Sequence, residues 1–266
     1  MTSVPHPTLC ALKTALHAQS RPRLWSLVVT ILGDVAHPRG DWLAMSALHE
    51  IIADLGFESG ALRTAMSRLS GDGWVERRKE GRNSWYRLGQ SHYDEFLTAA
   101  NTVYSASGAI CDGPWQITVL APGDVAPNDN CGWVLRPGVT LSQTHATSGA
   151  VTLIGDIAAL AHWAHQVIAP DAHGQRLSSF SNLLAGVSLD QAAALAPRQA
   201  MALRILMIHE WRRLMLRHAP VPKKLAPDNW PEFMCRQRVA ALYRVLFNTT
   251  EGRTCTDRFI QIRPTS

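Results

Sequence analysis

Residues 46–88 read SALHEIIADLGFESGALRTAMSRLSGDGWVERRKEGRNSWYRL, and the pattern of this segment predicts the fold of the N-terminal third. It begins with an apolar stripe at the i, i+3, i+4, i+7 spacing of an amphipathic helix, formed by Leu48, Ile51, Ile52 and Leu55. The same spacing returns in Leu62, Ala65, Met66 and Leu69. Ser46 fits an N-cap of the first helix, and Gly56 fits a left-handed terminator between the two. Two short helices joined by such a turn predict a helix-turn-helix.

The second predicted helix and the segment after it carry side chains that suit DNA. Its solvent face has residue types that reach phosphates and base edges in a major groove, namely Arg63, Thr64, Ser67 and Arg68. Two β-prone arms then flank a turn at residues 80–82, which predicts a hairpin. The hairpin concentrates polar and cationic groups, namely Arg77, Arg78, Lys79, Arg82 and Asn83. A helix-turn-helix followed by a basic hairpin predicts a winged helix whose wing contacts the flanking DNA backbone.

The composition of the whole chain excludes several classes of protein. Its 266 residues are 46% hydrophobic and 18% charged, as in a water-soluble globular protein with a normal core. No apolar run approaches the roughly 18 residues that a bilayer-spanning helix needs, and the first 19 residues lack the apolar block of a signal peptide. The five cysteines are odd in number and far apart, which favours reduced thiols in a cytoplasmic protein rather than a disulfide scaffold.

The formal net charge of +5 is unevenly distributed along the chain. Residues 107–197 hold 2 Lys/Arg against 6 Asp/Glu, whereas residues 198–266 hold 13 against 5. Such a shift in composition indicates a domain boundary, and the basic end predicts a polyanionic partner or ligand.

The pattern of elements predicts three domains in a mixed α/β, mainly α, multidomain fold. Residues 1–106 form a winged helix-turn-helix DNA-binding domain. Residues 107–170 form a small α+β middle domain, with strands near 115–120, 132–141 and 151–154 and a helix from Asp156 to about Ile168. Residues 171–266 form a helical domain, with a long helix over 197–218 and a second from Pro231 to Phe247.

No catalytic or metal-binding pattern is found, and we expect neither an enzyme nor a cofactor. His49-Glu50 and His209-Glu210 begin like a zinc-protease helix, but Ala53 and Arg213 stand where the second histidine ligand is needed. His162 and His165 have helical spacing but no third ligand nearby. No phosphate-binding Gly-rich loop, nucleophile elbow or Cys-x-x-Cys pair is present.

Strings from both ends of the chain resemble the PaaX family, bacterial repressors of phenylacetate-degradation operons. The strings are Thr30-Ile31-Leu32-Gly33-Asp34, residues 62–69, the hairpin of residues 78–88, Ile208-His209-Glu210-Trp211-Arg212-Arg213 and Asp228-Asn229-Trp230-Pro231. The resemblance implies a winged helix, a ferredoxin-like α+β middle domain and a helical C-terminal domain. It also implies a homodimer that binds a double-stranded, palindromic DNA operator and is released by an aryl-CoA thioester such as phenylacetyl-CoA.

The middle domain departs from the family pattern. In the family, an arginine-bearing helix follows the first strand, but here only residues 121–131 separate two strands, and they include two prolines. Eleven residues cannot supply a full crossover helix, so we expect a trimmed domain. The departure bears on the identity of the effector more than on DNA binding.

The expected effector-binding residues lie in the C-terminal domain: His209, Trp211, Arg212, Arg213 and Trp230. Arg212 and Arg213 lie near the predicted end of a long helix, where they suit the helix dipole or bind an anion such as the phosphates of coenzyme A. Two alternatives remain open. One is a ligand-independent DNA-binding protein; the other is an acyl-CoA-binding or enzymatic module that uses the winged helix for protein interaction.

Overall fold

The computed structural model describes residues 6–17, 24–36, 42–105, 114–124, 132–143, 150–251 and 260–261. The chain divides into two compact units. Unit 1 comprises residues 1–101, 182–211 and 238–266, and unit 2 comprises residues 102–181 and 212–237. The division into domains at residues 106 and 170 stays a prediction.

Helices make up most of the described chain. They are α1 (Pro7–His17), α2 (Leu24–Ile31), α3 (Met45–Asp54), α4 (Ser59–Gly71), α5 (Tyr93–Tyr104), α6 (His162–Ile168), α7 (Asp171–Ala185), α8 (Leu189–Ala193), α9 (Pro197–Met215) and α10 (Glu232–Glu251). A π-helical turn, Leu32–Ala36, continues α2, and a 3₁₀ turn, Gln90–His92, precedes α5. None of the helices described is both long and apolar enough to cross a membrane.

The strands form two antiparallel four-stranded sheets, so the class is mixed α/β. They are β1 (Trp42–Ala44), β2 (Val75–Glu80), β3 (Asn83–Leu88), β4 (Trp115–Val119), β5 (Gly132–Arg136), β6 (Val139–Ser142), β7 (Val151–Gly155) and β8 (Ile260–Gln261). The strand order is β2-β3-β1-β8 in unit 1 and β5-β6-β4-β7 in unit 2.

The N-terminal helices bury the apolar stripes that the sequence predicts. Leu48, Ile52 and Leu55 of the first stripe are at most 1% exposed, and the second stripe is buried throughout. α4 packs against both α3 and α2, and Val28 and Ile31 of α2 are fully buried. Burial of one helical face, rather than helix propensity, supplies most of the stability of such short helices.

Glycine ends both α3 and α4 in the same way. Gly56 has φ 88° and Gly73 has φ 74°, a left-handed conformation that costs other residues free energy. After α3, the Gly56 N–H donates to the Ala53 carbonyl and the Phe57 N–H to the Ile52 carbonyl, which is the Schellman pattern. The predicted termination at Gly56 is confirmed.

Ser46 as the N-cap of the first helix is wrong. Ala44 occupies that position without a side-chain hydrogen bond, and the helix begins at Met45. The reason is that β1 leads directly into α3, so strand pairing with β3 rather than a side-chain cap sets the start of the helix.

The helix predicted from Asp156 to Ile168 is shorter than expected, since α6 begins only at His162. Ala158 and Ala159 are exposed, and Ile157 and Leu160 are only half-buried, so the first half of the segment buries no complete apolar face. Helix propensity alone does not stabilise so short a segment in water.

The two C-terminal helices are found close to their predicted positions. α9 ends at Met215, three residues before the predicted end, and α10 starts directly after Pro231 and extends four residues past Phe247. Residues 202–209 of α9 are all buried, as expected of a helix that is surrounded by other elements.

Candidate nucleic-acid interface

The exposed face of α4 carries all four residues predicted for the major groove. Arg63, Thr64, Ser67 and Arg68 are exposed, while the stripe on the opposite face is buried. This separation follows from the 3.6-residue period, because the apolar residues of α4 are fixed against α2 and α3. The helix therefore presents two guanidinium groups and two hydroxyls on one solvent-facing surface.

The four side chains differ in how firmly the protein holds them. The Thr64 hydroxyl donates to the Gly60 carbonyl at 3.2 Å. The Arg68 guanidinium lies 3.5 Å from the Asp72 carboxylate and 5.9 Å from the Trp25 ring. Arg63 and Ser67 have no hydrogen-bond partner within the described ranges. Arg63 is thus the cation on this face that is most available to a ligand.

The predicted hairpin is present as β2 and β3, with a two-residue turn at Gly81 and Arg82. Val75 pairs with Leu88 at the base and Glu80 with Asn83 at the turn. Gly81 has φ 59°, and a glycine with positive φ at the first central position is typical of a type II′ turn, whose twist matches that of paired strands.

One face of this sheet is held together by an aromatic ring and an ion pair. The guanidinium groups of Arg78 and Arg87 lie 4.9 Å and 4.6 Å from the centre of the Trp42 ring. Arg87 also donates two hydrogen bonds, of 2.8 Å and 2.6 Å, to one carboxylate oxygen of Glu76. Partial burial opposes ionisation of Glu76, but the bonds from Arg87 and the Gln90 N–H keep its pKa below the usual value. Arg87 is therefore a structural cation.

The residues predicted for the wing fall into two groups. Arg77 donates to the Ser84 hydroxyl, and Arg78 pairs with Glu80 at 3.0 Å. The second group is exposed and has no hydrogen-bond partner in the part of the chain that the structure describes: Lys79, Arg82 and Asn83. The free charges are thus concentrated at the tip of the hairpin.

A backbone contact fixes the hairpin to the end of α4. The Gly89 N–H donates to the Trp74 carbonyl at 2.8 Å, and a Cβ at Gly89 would overlap the Gly73 carbonyl oxygen. The Ser91 hydroxyl donates to the same Gly73 carbonyl at 2.8 Å. Trp74 stacks on His92 with ring centres 4.1 Å apart. The hairpin and α4 are consequently joined without an intervening flexible segment.

The residues predicted to bind an effector are distributed over the two units. In unit 1, His209 and Trp211 are 3% and 1% exposed, and the His209 Nδ1 lies 3.1 Å from the Thr30 hydroxyl. In unit 2, Arg212 and Arg213 are half-buried, and the Trp230 ring N–H donates to Glu232 at 3.2 Å. A role of these five residues in ligand binding stays a prediction.

Sequence reasoning missed a buried ion pair in unit 1. Arg204 and Asp34 are at most 1% exposed and joined by a bond of 2.8 Å. Arg204 also donates to the Thr250 hydroxyl at 2.7 Å, and its guanidinium lies 5.0 Å from the Phe247 ring centre. The pair links the turn after α2 to α9 and α10. An arginine in the middle of an otherwise apolar helix is a signal for such a pair, but its partner is distant in sequence.

In the described part of the chain, no group of three or more histidine, cysteine or acidic side chains could hold a metal ion.

Cys235 is buried. Its burial, together with the nearby Glu232 carboxylate, raises the pKa of its thiol to about 12, so the thiol is a poor nucleophile.

Comparison with solved structures gives a likeness in fold. The uncharacterized protein Rv0674 from Mycobacterium tuberculosis aligns with a TM-score of 0.51 and 19% sequence identity. The alignment covers 85% of this chain and 97% of that one.

Comparison of sequences gives a family. Residues 23–92 match the PaaX-like protein family, and residues 168–253 match the PaaX-like protein C-terminal domain. The transcriptional repressor PaaX of Escherichia coli strain K12 is 25% identical over 253 residues, covering 82% of this chain and 79% of the relative. Two matched domains together with a relative over most of the length show that the chain belongs to the PaaX family of transcription regulators.

Proposed function

We propose that this protein is a repressor that binds an operator through a winged helix-turn-helix formed by residues 1–106. The observation that carries the proposal is the exposed face of α4, which is followed immediately by a rigidly attached hairpin with a cationic tip. α4 has the size and polarity of a recognition helix, and the hairpin has those of a wing. Repression rather than activation is supported by the Escherichia coli relative, which is a transcriptional repressor.

In this proposal the two surfaces do different work. The α4 residues enter the major groove and read base edges: Arg63, Thr64, Ser67 and Arg68. The hairpin residues contact the flanking backbone: Arg77, Arg78, Lys79, Arg82 and Asn83. Because Lys79 and Arg82 are not engaged with described groups of the protein, they reach phosphates without breaking an internal bond. Contacts of this kind set register and make affinity depend on salt.

The same proposal includes the regulated pathway and its signal. A regulator of this family is expected to control an aromatic-acid operon of the phenylacetate type and to leave its operator when an aryl-CoA thioester such as phenylacetyl-CoA binds. We also propose a cytoplasmic homodimer with a ferredoxin-like middle domain and a helical C-terminal domain. The effector would contact the predicted C-terminal set, His209, Trp211, Arg212, Arg213 and Trp230.

Fluorescence anisotropy of the full chain on a labelled fragment of its own promoter tests this proposal. We expect tight binding that weakens steeply with salt and is abolished by phenylacetyl-CoA. Binding that ignores the thioester would retain the DNA-binding assignment and refute the effector. Absence of binding at every salt concentration would refute the repressor assignment itself.

The assignment of α4 has its own test. Arg63→Ala should weaken operator binding by about 1–3 kcal/mol and reduce discrimination against mismatched operators, since a base contact is lost. The matched control is Arg244→Ala, which removes an exposed arginine from α10 and should leave discrimination unchanged. Unchanged discrimination in Arg63→Ala would show that another element reads the bases.

A further inference from the structure

Unit 2 contains a close pair of histidines that the proposed DNA contacts do not use. His173 of α7 and His218, which follows α9, lie with ring centres 4.3 Å apart. The Trp230 ring centre is 6.0 Å from that of His173. His173 is only 2% exposed, whereas His218 is half-buried. The pair therefore runs from the interior of unit 2 towards its surface.

Two arginines extend this pair into a cluster of bases. Arg176 lies three residues after His173 on α7, which places the two side chains on one face of the helix. Arg217 directly precedes His218. Both arginines are exposed, and neither forms an ion pair with any residue that the structure describes. The basic cluster consists of four residues: His173, Arg176, Arg217 and His218.

The electrostatic surroundings of both histidines are basic. Burial, followed by the charges of His218, Arg176 and Arg217, lowers the pKa of His173 to about 4. Burial and the same two arginines lower the pKa of His218. No carboxylate is among the groups that influence either ring. The basic cluster is thus a concentration of positive charge without an acidic partner among the described residues.

Two acids of unit 2, Asp171 and Glu232, are engaged elsewhere. Asp171 accepts a hydrogen bond of 2.8 Å from the Gln166 side chain. Glu232 accepts from Trp230 and, at 2.9 Å, from Arg236. Meanwhile the buried His173 Nδ1 has no hydrogen-bond partner in the described structure. Buried polar atoms are normally hydrogen-bonded, and a bound anion could accept a hydrogen bond from this ring.

We propose that the basic cluster is a binding site for a phosphoryl anion, that is, a phosphate monoester or a diphosphate. Two guanidinium groups supply planar pairs of donors that match phosphate oxygens. Two imidazoles beside them supply further N–H donors, and a bound dianion favours their protonated forms. A single carboxylate would neutralise only half of the arginine charge, so a group with two or more negative charges fits better.

Two sources share this chemistry: a free phosphorylated metabolite and the phosphates of coenzyme A in the proposed effector. The site itself does not depend on the proposed function, whereas its assignment to coenzyme A rests on it. Phosphate groups of DNA are a different partner and form an outcome of the test.

Isothermal titration of the full chain with sodium pyrophosphate tests the site. The test variant is Arg176→Gln/Arg217→Gln. The matched control is Lys223→Gln/Arg244→Gln, which removes two exposed charges that are not among the groups acting on either histidine. We expect pyrophosphate affinity to fall at least about tenfold in the test variant and by less than about twofold in the control. NMR titration should also show that pyrophosphate raises the pKa of His173, which a purely structural cluster would not show.

Equal pyrophosphate affinity in wild type and test variant, or no binding to the wild type, would refute the site. Competition between pyrophosphate and coenzyme A would assign it to the effector, and binding without competition would assign it to a separate metabolite. If operator affinity rather than pyrophosphate affinity falls in the test variant, the cluster contacts DNA and the proposal is wrong. Release of the wild-type protein from DNA by phenylacetyl-CoA tests the proposed function separately, because it needs no pyrophosphate binding.

Discussion

The α4–hairpin surface and the C-terminal helices use their arginines in opposite ways. Residues 198–266 hold the largest excess of positive charge in the chain, yet the structure places much of that charge in internal contacts. Arg204 and Arg236 are buried and paired with carboxylates, and Arg198 binds Asp54 at 2.7 Å. Residues 60–90 have a smaller excess but expose Arg63 and the tip of the hairpin.

This difference shows that net charge does not locate a polyanion site. A guanidinium whose N–H groups all donate to carboxylates and carbonyls of the protein has few donors left for a ligand. Arg236, for example, donates to the Glu232 carboxylate and to the Thr102 and Ser105 carbonyls. The excess of Lys and Arg predicted a polyanionic partner for the C-terminal end. Of the arginines in that region, Arg217 belongs to the basic cluster, together with Arg176 of α7.

The largest effect is expected from a substitution that breaks the buried ion pair between Arg204 and Asp34. Arg204→Met should lower the free energy of unfolding by about 3–5 kcal/mol, because it leaves the Asp34 carboxylate buried without its cation. Denaturant unfolding measures the loss. The exposed substitution Arg244→Met on the neighbouring helix should change stability by no more than about 0.5 kcal/mol. A loss below about 1 kcal/mol for Arg204→Met would contradict the assigned role of the pair.

A smaller effect concerns the pH dependence of stability. Because the pKa of His173 is about 4 in the folded chain and near 6.5 when unfolded, the unfolded state binds more protons between these values. The free energy of unfolding should therefore fall as pH falls from about 6.5 to 4, by about 2–3 kcal/mol from this group.

The His173→Gln variant removes this proton uptake and should show a flatter profile over the same window. Thermal unfolding of both proteins at half-unit pH steps measures the difference. Parallel profiles for the two proteins would show that His173 is not held neutral by its burial and its basic neighbours.

The smallest expected effect is on the salt dependence of DNA binding. It distinguishes hairpin cations without an internal partner from those that are bonded within the protein. Lys79→Ala should weaken binding to all DNA sequences alike and reduce the slope of log affinity against log salt by about one unit. Arg87→Ala should leave that slope unchanged, because Arg87 is bonded to Glu76, although it should loosen the hairpin. Anisotropy titrations at several salt concentrations distinguish the two, and equal slope changes would remove the distinction.

Local patterns predicted the N-terminal region well for a physical reason. The stripes of α3 and α4, the turn at Gly56 and the hairpin arms depend on residues within one or two turns of each other. The Arg204–Asp34 bond could not be predicted in this way, because its partners are 170 residues apart in sequence. The same holds for the contact of His173 with His218.

The middle of the chain was harder to predict because its elements depend on tertiary pairing. Short strands such as β4 gain their place from both neighbours, β6 and β7. Alanine-rich residues 156–161 have high helix propensity but do not bury a complete apolar face. The helix was therefore predicted to begin at Asp156, whereas α6 begins at His162. Of the candidate site, the exposure of the α4 residues was predictable. The bond of Arg77 to Ser84 and the contact of Arg78 with the Trp42 ring depend on strand pairing and were not.

The joint between α4 and the hairpin restricts how this protein can acquire new targets. The backbones at Gly73 and Gly89 approach so closely that position 89 admits no side chain. The distance between α4 and the hairpin is therefore fixed. In the proposed mode of DNA binding, relatives or engineered descendants that keep this joint can change which bases they prefer by exchanging exposed residues on α4. They cannot easily change the spacing between the groove and the flanking phosphates. In the proposed homodimer, divergence in operator spacing would then have to arise between protomers rather than within one.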